Sequence, residues 1–212
     1  MNLGLQETLT EDAVKVLLRD YGIPTTDFVV IESDDDLESI ELEFPVALKV
    51  CSPDILHKTD VGGVELNIMD EEELKREFSE FKKKFPGERF IIEKMEPQGI
   101  EMIAGLVNDA SFGMSIMVGM GGIFAEMYKD VSFRLVPIKR KDAEEMIDDL
   151  KAGELFKGFR GIELDRKAMV ELLLKLSQIG TDFPSISQMD LNPVFVYSSG
   201  LKVVDAKMIK IR

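Results

Sequence analysis

From Glu101 to Ile138 the chain lays down one strand-like run after another, with only short connections between them. The runs are Glu101–Val107, Met114–Val118, Ile123–Tyr128 and Val131–Ile138. In the last, Val131, Phe133 and Leu135 alternate with Ser132 and Arg134, the period of a strand. Asn108-Asp109 is a candidate hairpin turn. Such a block of strands limits the fold, and the flanking segments define it further. Ahead of the block, Glu11–Tyr21 has helical spacing (Val14, Leu17, Leu18, Tyr21), with Thr8–Glu11 as a capping box and Gly22 and Pro24 as the stop. Strands are expected at Phe28–Ile31, Pro45–Cys51, Val64–Met69 and Arg89–Met95. Asp34–Asp36 opens a short helix, and Asp70 caps a longer one through about Phe85, with Leu74, Phe78, Phe81 and Phe85 as its core stripe. After the block come helices at Lys141–Leu150 and Asp165–Ile179, the second with Gly180 as its C-cap. A hairpin closes the chain, Met189–Tyr197 and Leu201–Ala206, turned at Ser198-Ser199-Gly200. The order is that of an α+β protein with two sheet-and-helix units meeting near residues 95–100.

Charge and composition narrow the function classes. A net charge of -14 disfavours nucleic-acid backbones and anionic membrane surfaces as partners. No apolar stretch approaches the roughly 20 residues of a membrane helix. With 45% hydrophobic and 31% charged residues, the expectation is a soluble globular protein. Met1–Glu7 lacks a basic region followed by an apolar run, and the lone Cys51 has no internal partner, so a cytoplasmic, reducing setting is expected. A nucleotide ligand would need a locally positive site within this negative field.

Five features carry candidate chemistry. His57 is the only histidine, in a loop between two strand-like runs, and imidazole can carry a phosphoryl group. Lys49 interrupts the apolar run Val46–Cys51, where a lysine suits either a phosphate contact or an ion pair with a neighbouring acid. Asp190 and Asn192 lie two apart on one strand, and the closing hairpin can bring Asp205 beside Asn192. Such oxygen donors suit Mg²⁺ with room left for phosphates. Gly119-Met120-Gly121-Gly122 follows a strand, either to present backbone N–H groups to a phosphate or to make a tight turn. Arg134 and Arg140 could each reach a phosphoryl oxygen or lie on the surface, Arg134 being preferred because it sits inside the strand pattern.

These segments resemble the ATP-grasp β subunit of ADP-forming acetyl-CoA synthetase (acetate–CoA ligase), and more distantly succinyl-CoA synthetase β subunits. The resemblance rests on Val46–Lys49 with Ser52–Val64, on Gly119–Glu126 with Lys129–Arg134, and on Asp190–Pro193 with Val204–Ala206. It implies an ATP-grasp fold with subdomains 1–96 and 97–212 and ATP or ADP between them. By the same resemblance, Lys49 would contact phosphates, and Glu93, Lys94 and Met95 would form the adenine hinge. Glu101 would also bind nucleotide, Gly121, Gly122 and Arg134 would border the phosphoryl group, and Asn192 and Asp205 would hold Mg²⁺. His57 would be the phosphorylated intermediate. A CoA-binding α subunit would complete an α₂β₂ enzyme. The alternatives are an ATP-grasp carboxylate ligase working through an acyl phosphate without phosphohistidine, and a nucleotide-sensing module.

Overall fold

The computed structural model describes residues 6–37, 40–41, 43–55, 57–122 and 130–211. In chain order its elements begin with β1 (Gln6–Leu9), α1 (Glu11–Asp20), β2 (Phe28–Ile31), α2 (Asp34–Leu37), β3 (Val46–Cys51) and β4 (Val64–Ile68). Then come α3 (Glu71–Lys84), β5 (Arg89–Lys94), β6 (Ile100–Asp109), β7 (Gly113–Met120) and β8 (Val131–Leu135). The remainder is α4 (Arg140–Asp148), a 3₁₀ segment (Lys151–Lys157), α5 (Arg166–Asp182), β9 (Ile186–Val196), β10 (Leu201–Val203) and β11 (Ala206–Ile211). The strand expected at Ile123–Tyr128, and the matching part of the glycine segment, lie outside the described residues.

The chain divides into two compact units. One holds residues 10–13 and Thr26–Pro97, with a four-stranded antiparallel sheet in the order β2-β5-β3-β4. Helix α3 packs its apolar stripe on this sheet. Leu74, Phe78 and Phe81 are buried, and the Phe78 ring meets Phe90 edge-on at 5.4 Å. The expected cap is present: the Asp70 carboxylate accepts from Glu73 N–H at 2.9 Å, and Glu73 reaches back to Met69 N–H at 2.8 Å. The phenylalanines therefore build the core.

The other unit holds residues 6–9, Val14–Thr25 and 98–211, around a seven-stranded sheet ordered β1-β11-β9-β6-β7-β8, with β10 also paired to β9. The leading residues depart from the expectation here. Thr8 and Leu9 are not part of a cap but of β1, which pairs with β11, and Val14 and Leu18 of α1 are buried in this unit's core. Most of the leading helix thus groups with the C-terminal residues, not with 26–97. Helices α4 and α5 cover one face, on which Met102, Ala104, Leu106, Ile116, Val118, Met189 and Leu191 are buried. Asp165 caps α5 as expected, accepting from Ala168 N–H at 2.9 Å. Gly180, however, lies inside α5, where a Cβ would come within 3.2 to 3.4 Å of Met114 and Leu106. Its small size serves helix-on-sheet packing, and the helix runs on to Asp182.

Strand alternation in β8 is present but turned outward. Ser132 is buried while Phe133 and Leu135 are 53% and 56% exposed. The register explains this: Phe133 pairs with Met117 and Leu135 with Ser115, on the sheet face away from α4 and α5. Among the described residues, no helix is long and apolar enough to cross a membrane.

Candidate functional site

Within the four-stranded unit, Lys49 of β3 lies in a strand whose six residues are all buried. An ammonium there must be neutralised. Its Nζ sits 2.8 Å from Glu93 of β5 and 3.0 Å from Glu11 in the first turn of α1. The second carboxylate oxygen of Glu11 pairs with Lys58. All four side chains are buried, Lys58 the most exposed at 7%. The result is a chain of alternating sign, Lys58–Glu11–Lys49–Glu93. Of the two uses raised for Lys49, the structure shows the ion pair. Glu11 and Lys58 were not expected here. Glu11 reads in sequence as a cap residue, and Lys58 is overshadowed by the histidine before it. The available signal was Lys49 itself, since a lysine in an apolar strand demands carboxylates from elsewhere in the fold.

The same turn of α1 grips the end of β3. The Cys51 thiol donates to Asp12 at 3.2 Å, and Arg89 reaches Asp12 at 3.3 Å. Burial, reinforced by the Asp12 carboxylate, pushes the thiol up to about 11. Burial alone would raise the Asp12 carboxyl, but hydrogen bonds from Thr10 and Cys51 and the charge of Arg89 outweigh it and hold the group below its usual value.

His57 is exposed on the loop between β3 and β4. The base of that loop is closed by Gly63 N–H to Lys58 C=O at 2.7 Å, Gly62 N–H to Thr59 C=O at 3.0 Å and Val50 N–H to Gly63 C=O at 2.9 Å. Gly62 has φ +59, and a Cβ on Gly63 would meet Val50 at 2.6 Å. The Gly-Gly pair therefore serves a left-handed turn and a close approach of loop to strand.

The residues expected at the hinge have partners within the protein. Glu93 spends its carboxylate on Lys49, and Lys94 pairs with Glu43. The backbone N–H groups of Lys94 and Met95 donate to Asp27 and Pro45 C=O, each at 3.0 Å. Pairing continues past the end of β5, so both donors are already used by the protein.

In the seven-stranded unit Glu101 lies on β6 and Asn192 on β9, while Gly121 and Gly122 directly follow β7 and Asp205 lies between β10 and β11. Gly121 N–H donates to Glu101 C=O at 2.8 Å, and a Cβ on Gly122, which has φ +65, would lie 2.7 Å from the Glu101 carboxylate. Asn192 N–H donates to Asp205 C=O at 3.1 Å, so the hairpin does place the two side by side. Asn192 lies at a register shift in the β6–β9 pairing between Met102 and Ala104, close along β6 to Glu101. Two strand spacings, roughly 10 Å, then separate β9 from β7 and its glycines. Asp190 lies on the same strand as Asn192. Burial raises its carboxyl above the usual range, with Lys207 opposing and Asp205 reinforcing. An amide on β9 and a carboxylate just before β11 are a hard-oxygen pair. Among the described residues, no group of three or more His, Cys, Asp or Glu could hold a metal. That donor set fits Mg²⁺ shared with phosphates better than a closed protein cage.

Arg134 is not brought to this group. It pairs in register with Ile116 of the helix-covered face, and its guanidinium donates to Asp149 at 2.8 Å, where it serves to tie β8 to the end of α4. Arg140 pairs with Glu171 on the surface.

The chain as a whole matches known proteins. The model of the ATP-grasp domain family matches residues 4–209. The β subunit of acetate–CoA ligase [ADP-forming] I from Pyrococcus furiosus is 37% identical over 211 residues, covering 95% of this chain and 91% of that subunit. Acetate–CoA ligase [ADP-forming] II from Archaeoglobus fulgidus is 42% identical over 203 residues, and there the match spans 95% of this chain but only 30% of the longer protein. Among solved structures, the acetyl-coenzyme A synthetase 1 of Ca. Korarchaeum cryptofilum superposes with a TM-score of 0.83 at 40% identity, covering 96% of this chain and 92% of that one. That structure holds coenzyme A and Mg-AMPPCP, with its phosphohistidine segment pointing towards the nucleotide binding site.

Proposed function

The chain belongs to the ATP-grasp domain family, in the branch of ADP-forming acetate–CoA ligase β subunits, and from that premise we propose that it moves a phosphoryl group between a histidine and ADP. The whole enzyme would convert acyl-CoA, ADP and phosphate reversibly to the acid, ATP and CoA. A separate CoA-binding α subunit, in an α₂β₂ assembly, would supply the acyl chemistry. A reducing cytoplasm suits its single, buried cysteine.

In this scheme a phosphohistidine of the partner presents phosphorus to an imidazole nitrogen of His57. One P–N bond breaks as another forms. His57 then yields the group to a terminal β-phosphate oxygen of ADP, breaking P–N and forming P–O. Such transfers depend chiefly on positioning and on offsetting charge. Lys49, a buried cation paired with Glu11 and Glu93, would meet the phosphates. Glu101, Gly121 and Gly122 would border the transferred group. Asn192 and Asp205 would hold Mg²⁺, which when bound offsets phosphate charge. The carrying observation is that the single histidine is exposed on a loop whose base is fixed by Gly62, Gly63 and Lys58.

The test is labelling with γ-³²P-ATP and Mg²⁺ alongside a CoA-binding partner. Acid-labile label on His57 is expected, absent from His57→Ala. Label that survives that substitution, or none at all in the unsubstituted chain, refutes the phosphohistidine role.

A further inference from the structure

The residue that follows His57 is the one that ties its loop to the buried charges. Lys58 pairs with one carboxylate oxygen of Glu11, whose other oxygen accepts from Lys49 Nζ at 3.0 Å. Glu11 thus holds two things at once: the amine expected to meet phosphate, and the loop expected to carry the phosphoryl group. Glu93, 2.8 Å from Lys49, completes a set of two positive and two negative side chains, all nearly excluded from water. In such surroundings charges are strongly coupled, and a new charge at one member is felt by its neighbours. A nucleotide polyphosphate arriving at Lys49 brings several negative charges. It attracts both lysines and repels both carboxylates, so each Lys–Glu pair weakens, the Lys58–Glu11 pair among them.

We propose that Glu11 is a positioning residue, and that its pair with Lys58 latches the His57 loop until phosphate engages Lys49. This rests on the reading that Lys49 meets phosphate and His57 carries the phosphoryl group. It adds a cause for the order of events: the loop is held while the site is empty and freed when an acceptor is present. Coupling of this kind requires a ligand that favours one state over the other, and the added negative charge supplies the difference.

Amide hydrogen exchange on the full chain tests it. The readout is residues 57–63, whose Gly62 and Gly63 amides are protected by the bonds to Thr59 and Lys58. With saturating Mg·ADP, exchange there is expected to quicken at least about tenfold, as the latch opens. The charge-balanced double variant Glu11→Gln, Lys58→Met keeps Lys49 with Glu93, and is expected to exchange at the fast rate without nucleotide. Lys58→Met alone, which leaves Glu11 on Lys49, should do the same and serves if the double variant folds poorly. Lys58→Arg should restore the nucleotide-dependent pattern, and α3 should be unchanged throughout, which a general loss of stability would not allow. The latch is overturned if Mg·ADP leaves or slows the loop's exchange, or if the nucleotide-free variants match the unsubstituted chain. The nucleotide-free comparison judges the latch, and the ³²P label judges the phosphohistidine reading, so the two can fail separately.

Discussion

The two candidate clusters solve opposite electrostatic problems. In the four-stranded unit, Lys49 and Lys58 are buried and already neutralised by Glu11 and Glu93. In the seven-stranded unit, Asp190 and Asp205 share the neighbourhood of Asn192, and burial holds the Asp190 carboxyl above its usual range. One cluster is balanced within the protein; the other is rich in oxygen donors and suited to an added cation. The first is therefore part of the fold's own stability, whereas the second, on the function proposed above, would be completed by an added cation. The same kind of substitution should therefore show up in different measurements in the two places.

The sharpest way to break that contrast is Lys49→Met. It removes the ammonium that Glu93 and Glu11 share in a buried site, a loss of about 3–5 kcal/mol of unfolding free energy. Urea denaturation measures it. If Lys49→Met costs less than a typical surface change, the cluster is not structural. Adding Glu93→Gln should recover part of the loss, because the two residues are one interaction and their effects are not additive.

Asp205→Asn should behave in the reverse manner. Ligand-free stability should stay within about 1 kcal/mol of the unsubstituted chain. The binding response should not. Mg·ADP at about 100 times its Kd stabilises a binding-competent chain by about 2.7 kcal/mol, and the variant should lose the Mg²⁺-dependent part of that gain. Thermal melts with ADP, with and without Mg²⁺, separate the two. An unchanged Mg²⁺ response in Asp205→Asn would remove this residue from the metal pair.

The smallest effect calibrates the others, away from either cluster. Asp165 is held below the usual carboxylate range by the backbone N–H groups of Ala168 and Gly200. A carboxyl lowered in the folded state stabilises above its unfolded pKa, and that contribution is lost as pH falls through the folded value. Asp165→Ala should therefore cost about 1 kcal/mol at neutral pH, a gap that closes below about pH 4. Stability curves of the two proteins across pH 2–7 check the sign.

Much of the fold was legible because local pattern and tertiary need agree. Asp70 with Glu73, the Leu74–Phe78–Phe81 stripe and the turn at Gly200 all stand where spacing placed them. The departures share a cause, which is a partner distant in sequence. Thr8 and Leu9 form a strand only because β11 lies beside them. Gly180 looks like a stop until Leu106 and Met114 require a small residue in mid-helix. Phe133 and Leu135 alternate as a strand should, but alternation cannot say which face is covered. In the candidate sites, Asn192 and Asp205 were foreseeable because a hairpin fixes them locally. The bond from Lys58 to Glu11 spans 47 positions, and no local pattern announces it.

Cys51 gives the molecule a built-in clock. Its thiol, held near pKa 11 by burial and Asp12, keeps roughly one molecule in a thousand as thiolate at pH 8, so alkylating reagents should find it nearly inert. Any event that parts the first turn of α1 from the end of β3 removes both restraints together. The rate of modification then counts openings directly. Because the sequence contains no other cysteine to compete, that count needs no engineered label.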